Sequence, residues 1–82
     1  MFIATEHNIT DVELFSQKAG SALGQPPEGL HLRTALLDKD NHCCQCVWEA
    51  DSIESVQGYL DPELGAASVN VYYLLDPDSA IG

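Results

Sequence analysis

The order of strand-like and helix-like segments restricts the fold of this chain more than any other feature. Strands of apolar and β-forming residues and amphipathic helices follow one another as β-α-β-β-α-β within 82 residues. Strand–helix–strand connections are right-handed, which places the strands in the order 4-1-3-2 of one antiparallel sheet, with both helices on one face. The sequence therefore predicts one α+β domain over residues 1–82, a ferredoxin-like βαββαβ sandwich.

Four strands are predicted from apolar and β-branched runs. They cover residues 1–7, 29–37, 42–50 and 68–75. The polar turn at residues 38–41 joins the second and third strands into a hairpin. In the second strand Leu30, Leu32 and Leu36 alternate with His31 and other residues, so the three leucines are expected on one face.

A capping box and an apolar stripe predict the first helix. In this box the Thr10 hydroxyl accepts a backbone N–H and Glu13 reaches back toward Thr10. Gly24 ends the helix. The stripe expected to face the sheet consists of Val12, Phe15, Ala19, Ala22 and Leu23.

The second helix begins after Asp51 or Ser52, either of which can cap it. Pro62 is expected to close this helix or to kink it into a further short turn that Gly65 stops. The apolar positions of the helix are Ile53, Val56, Tyr59 and Leu60.

The sheet face opposite the helices is expected to need a cover. The last strand would present there either Asn70, Tyr72 and Leu74 or its alternate residues, Val69, Val71, Tyr73 and Leu75. An exposed face of this size would be adhesive on a monomer. We therefore predict a homodimer in which two sheets face each other and close an α/β barrel.

The charge balance limits the classes of partner. Thirteen acidic residues against three basic ones give a net charge of -10, which repels nucleic acid and anionic membranes. We expect no signal peptide, because the first residues lack a basic segment, and no run is long and apolar enough to cross a bilayer. Three crowded cysteines, an odd number, do not form a disulfide framework. These features predict a cytoplasmic protein with reduced thiols.

A metal site is one candidate function. In the predicted sheet the end of the first strand, His7, lies near the start of the third strand, with His42 and Cys43. Imidazole and thiolate suit a divalent transition metal such as zinc, nickel or copper. On this strand Cys44 and Cys46 point to the face opposite Cys43, where small buried side chains under the helices are the alternative interpretation.

A ligand pocket at the dimer centre is a second candidate. Its predicted lining is His7, Trp48, Asn70 and Tyr72. Glu49, if it faced the barrel interior, would be a buried acid with a raised pKa and could act as a base. His31 and Arg33 share a strand face that could bind an anion. The alternatives are packing for the aromatic residues, an exposed carboxylate for Glu49 and a solvated edge strand for the basic pair.

The chain resembles a known group over nearly its whole length. Residues 46–56, C-V-W-E-A-D-S-I-E-S-V, are similar to the stretch C-x-W/Y-E-A-x-S-x-E-A-V of small uncharacterised bacterial proteins of the dimeric α/β-barrel type. Residues 60–62 and 68–72 are similar to the later part of the same group. The resemblance implies the fold and the dimer, and small nickel-binding ferredoxin-like relatives imply a metal ligand at His7.

Three functions remain open from the sequence. The first is an unassigned, non-enzymatic dimer with a small ligand in the barrel interior. The second is a divalent-metal binder that uses His7 with neighbouring donors. The third is a cofactor-independent oxygenase or isomerase, an activity that other proteins of this fold have but that fold alone does not carry.

Overall fold

The structure, a computed structural model, describes residues 1–79. The main elements are β1 (Phe2–Ile9), α1 (Val12–Gly24), β2 (His31–Leu37), β3 (Cys43–Glu49), α2 (Ile53–Leu64) and β4 (Ser68–Leu75). Short 3₁₀ turns cover Gly65–Ala67 and Pro77–Ser79. The α+β class and the β-α-β-β-α-β order are confirmed, while the predicted end of the domain at residue 82 lies outside the described residues.

The four strands form one antiparallel sheet in the order β2-β3-β1-β4. This order is the predicted one. In the register of β1 with its two neighbours, His7 lies opposite Cys44 of β3 and Asn70 of β4. The end of β1 and the starts of β3 and β4 therefore meet, as the sequence predicted.

The core lies between the sheet and the two helices. Ile3, Trp48, Val56, Leu60 and Leu64 are fully buried there. Residues of α1 add Phe15, Ala19 and Ala22. Val12 does not belong to this set and is 46% exposed. The predicted stripe is wrong at this residue because Val12 is the first helical position, at the margin of the layer.

The capping box predicted for α1 is wrong. Asp11 is the N-cap, and its carboxylate accepts the N–H of Leu14 at 3.1 Å. The Thr10 hydroxyl instead donates to the carbonyl of Ala66 at 2.7 Å, which ties the start of α1 to the connection between α2 and β4. Thr10 does not cap the helix because its hydroxyl is hydrogen-bonded to this distant carbonyl instead.

Helix α2 is capped by Ser52, which accepts the N–H of Ser55 at 3.1 Å. The helix neither ends nor breaks at Pro62 but continues to Leu64. Proline lies here in the last turn, where its missing N–H costs a single helical hydrogen bond. Gly65, with a φ of 55°, ends the helix in a conformation that glycine adopts without strain.

A bulge changes which side chains of β2 share a face. The register with β3 shifts between Leu32 and Thr34, so one extra residue enters the strand and reverses the alternation beyond it. Leu36 consequently lies on the side away from the helices and is 66% exposed. The prediction that Leu36 shares a face with Leu30 and Leu32 is wrong for this reason.

Candidate functional site

The sheet face away from the helices, here called the open face, carries several of the exposed large apolar side chains. Five large apolar side chains on this face are between 37% and 66% exposed. They are Leu36, Val69, Val71, Tyr73 and Leu75. Of the two sets that the sequence left open for β4, the structure selects the one that contains Val69.

Few charges lie on the open face. Its carboxylates are Glu6 and Glu49, and the other acidic residues lie on the helices, in the turns and after β4. Arg33 Nε donates to Glu49 Oε1 at 3.0 Å. The hydrogen bond and the charge of Arg33 hold the pKa of Glu49 below its ordinary value. In the single chain Glu49 is thus a partly exposed carboxylate paired with Arg33, and the raised pKa expected for it inside a closed barrel stays a prediction.

A shallow cavity of about 210 Å³ opens on this face. Glu6 of β1 is one of its lining residues and lies opposite Gln45 of β3 and Val71 of β4. The rest of the lining is mostly apolar, with Ala4, Thr34, Leu36, Val47 and Tyr73. The cavity thus combines an apolar wall with one carboxylate and a small number of polar groups.

The three residues predicted to bind a metal do not converge. His7 is fully buried on the face that the helices cover, whereas Cys43 lies on the open face, with Sγ 3.9 Å from Glu6 Oε1. His42 is exposed in the β2–β3 turn, and its carbonyl accepts the N–H of Ile9. Among residues 1–79 no group of three or more His, Cys, Asp or Glu side chains is arranged to hold an ion.

All three cysteines are unpaired. Cys44 and Cys46 are buried side by side under the helices, with their sulfur atoms 3.9 Å apart. The prediction that these two are small core residues is confirmed. Burial raises the pKa of the Cys43 thiol, with Glu6 as a further cause.

His7 belongs to a buried chain of hydrogen bonds. Its Nδ1 lies 2.7 Å from Asn70 Oδ1, and its Nε2 lies 2.9 Å from Thr5 Oγ1. An amide oxygen only accepts, so we assign the proton of the neutral ring to Nδ1. Nε2 then accepts from the Thr5 hydroxyl. Both ring nitrogens are therefore occupied within the chain.

The chain of hydrogen bonds ends at a carboxylate of α2. Asn70 Nδ2 donates to Asp61 Oδ1 at 2.9 Å, and the Tyr72 hydroxyl donates to the same oxygen at 2.6 Å. Burial alone would raise the pKa of Asp61, but the hydrogen bonds from Tyr72 and Asn70 outweigh it and lower that pKa. Burial and the bond to Asp61 raise the pKa of Tyr72.

The four residues predicted to line a ligand pocket are placed differently from expectation. His7, Asn70 and Tyr72 share the buried polar chain, but Trp48 is fully buried in the core. The prediction that Trp48 and Tyr72 line the dimer centre is wrong, since both face the helices. The four principal cavities are lined by other residues.

Sequence reasoning missed Asp61 and Thr5 as members of the polar chain. Thr5 could have been found, because it lies two residues from His7 and so shares its strand face. Asp61 is on another element, and only the packing of α2 against β4 brings it to Asn70. Its sequence position, just before Pro62, suggested a helix end instead.

The burial of His7 predicts how stability depends on pH. Burial lowers the pKa of His7 from 6.5, although Asn70 and Asp61 act in the opposite direction. Below pH 6.5 the unfolded chain binds a proton at this residue before the folded chain does. The free energy of unfolding should therefore fall as the pH falls from 6.5 toward the folded-state pKa, with no contribution above 6.5.

Urea unfolding between about pH 5 and about pH 8 measures this dependence. His7→Gln should flatten the profile near pH 6, and His31→Gln, at an exposed histidine, should leave it as in the wild type. A profile that is unchanged in His7→Gln would assign the dependence to other groups.

Comparisons with known proteins found no significant similarity to any family model, curated protein or solved structure. Within residues 1–79, none of the helices has both the length and the apolar character that crossing a bilayer requires.

Proposed function

We propose that the protein works as a homodimer in which two open faces pack against each other and enclose a small-ligand site. The observation that carries this proposal is the open face itself. Five large apolar side chains lie exposed on it, in a chain whose net charge is -10. Depletion of charge and enrichment of apolar and aromatic residues are typical of the buried centre of an interface.

The size of the open face agrees with a dimer interface. Strands of this length, at about 3.3 Å per residue and about 4.8 Å between strands, form a face of roughly 25 by 19 Å. Two such faces bury about 1,000 Å² in projection, and more when the relief of the side chains is included. Specific interfaces begin near this value, at about 1,000–1,200 Å².

The open-face cavity supports the ligand part of the proposal. Small-molecule sites are mostly apolar and contain a few placed polar groups. Glu6, Thr34 and Gln45 supply such groups among apolar neighbours. A volume of about 210 Å³ lies below the roughly 300–1,000 Å³ of common sites, and two cavities that face each other across a dimer fall within that range.

The resemblance of residues 46–56 to dimeric α/β-barrel proteins supports the same proposal, and the three unpaired cysteines support a cytoplasmic location. We do not propose a metal or oxygenase function at His7. Its ring is fully buried and both of its nitrogens are hydrogen-bonded within the chain, which leaves neither for an ion or a substrate.

Sedimentation equilibrium tests the dimer. We expect a species of twice the 8.9 kDa chain mass, with tighter association as salt rises from about 20 mM to about 500 mM. The salt effect follows because screening weakens the repulsion between two strongly acidic copies. A chain that stays monomeric at high salt and high concentration would contradict the proposal.

A further inference from the structure

Glu6 is a carboxylate without a cationic partner at the middle of an apolar face. It is half-buried on β1, and Val71 and Tyr73 of β4 separate it from the nearer edge of the sheet. Among residues 1–79 the only salt bridge is that of Arg33 with Glu49. The contact of Glu6 with Cys43 Sγ, at 3.9 Å, is too weak to replace a counter-charge.

Covering the open face removes water from this carboxylate. A buried carboxylate without a partner is costly, and the penalty is relieved by a paired cation or by protonation. In the dimer proposed above, a cation next to Glu6 would relieve this penalty and leave the carboxylate ionised.

A second copy of the chain has little positive charge to offer. The chain contains three Lys and Arg residues in all. Lys18 lies on α1, away from the open face, and Lys39 lies in the β2–β3 turn. Arg33 is paired with Glu49, and His31 lies opposite Glu49 at the far end of β2 from Leu36. The missing counter-charge is thus more readily supplied by a ligand.

From these observations we infer that the open-face cavity binds an organic cation, an ammonium group on a short apolar body. This inference rests on the proposed dimer. The ammonium pairs with Glu6 and donates further hydrogen bonds to Gln45, while the apolar body packs on Leu36 and Tyr73. The Tyr73 ring also offers a face that attracts a cation.

Butylammonium, pentanol and pentanoate are suitable probes, because they share a similar apolar chain and differ in charge. Each is titrated at pH 7 into ¹⁵N-labelled protein, and the oligomeric state is measured on the same samples. We expect butylammonium to bind the dimer at least 10-fold more tightly than either other probe, which corresponds to about 1.4 kcal/mol. The largest amide shifts should occur near Glu6 and Gln45.

Two variants separate a specific site from general attraction by an acidic protein. Glu6→Gln keeps the side-chain shape and should reduce butylammonium binding at least 10-fold. Glu28→Gln removes one charge from the loop before β2, away from the cavity, and should bind the probe as the wild type does. Equal losses in both variants would overturn the inference, since the binding would then follow net charge.

The wild-type titration decides the inference even if a variant folds poorly. A dimer that binds butylammonium no better than pentanol overturns the organic-cation inference and leaves the dimer standing. A monomer under all conditions overturns the proposed function, and the inference with it.

Discussion

Tyr73→Asp is expected to raise the dissociation constant of the dimer at least 100-fold and to leave the fold intact. Tyr73 lies on the open face and is 50% exposed, so the folded monomer tolerates a polar residue there. In the dimer the substitution buries two new carboxylates near Glu6, and their desolvation is not offset by nearby cations. A 100-fold change corresponds to about 2.8 kcal/mol. Sedimentation equilibrium over a concentration series measures it.

The neighbouring residue provides a matched control. Leu74 is on the same strand and is 57% exposed, but it pairs with the buried Ile3 and so lies on the helix side of the sheet. Leu74→Asp adds the same charge to the same edge strand and should leave the dissociation constant within a few-fold of the wild type. Equal weakening by both substitutions would mean that charge, not the open face, governs association.

Trp48→Ala should lower the free energy of unfolding by about 3–5 kcal/mol, the usual cost of removing a large buried aromatic side chain. Trp48 is the largest of the fully buried side chains, and its removal leaves a cavity between β3 and the helices. The total free energy of unfolding of such domains is only about 5–15 kcal/mol. Urea denaturation of the two proteins, at one concentration and in one oligomeric state, gives the difference.

Trp48→Phe is expected to cost clearly less than Trp48→Ala. The indole N–H of Trp48 makes no hydrogen bond to any of residues 1–79, and a buried donor without a partner costs about 1–3 kcal/mol. Phenylalanine removes this donor and keeps most of the apolar volume. Both substitutions remove the unpaired N–H, so if they cost the same, the apolar volume that phenylalanine keeps does not stabilise the folded chain.

The burial of Trp48 could have been predicted from the sequence. Cys44 and Cys46 were expected to lie under the helices, and a strand alternates with a period of two residues. Trp48 continues that alternation, so it belongs on the same face. The expectation that Trp48 lines the dimer centre conflicted with the expectation that the cysteines of the same strand face lie under the helices. The structure places Trp48 under the helices with the cysteines.

Other errors could not have been avoided with the sequence alone. The bulge between Leu32 and Thr34 depends on how β2 pairs with β3, and an uninterrupted alternation fits the same residues equally well. The choice of Asp11 over Thr10 as the cap of α1 depends on the carbonyl of Ala66, a residue 56 positions away. Strand order was predicted correctly because chain connectivity and handedness fix it.

The uneven distribution of charge has a consequence for how two copies meet. Most of the negative charge lies on the helix side, in the turns and after β4, and little lies on the open face. Approaches that bring two helix sides together are repelled most, and approaches with the open faces turned inward are repelled least. The long-range electrostatic repulsion therefore lowers the rate at which two open faces meet. It lowers the rate of encounters in other orientations more.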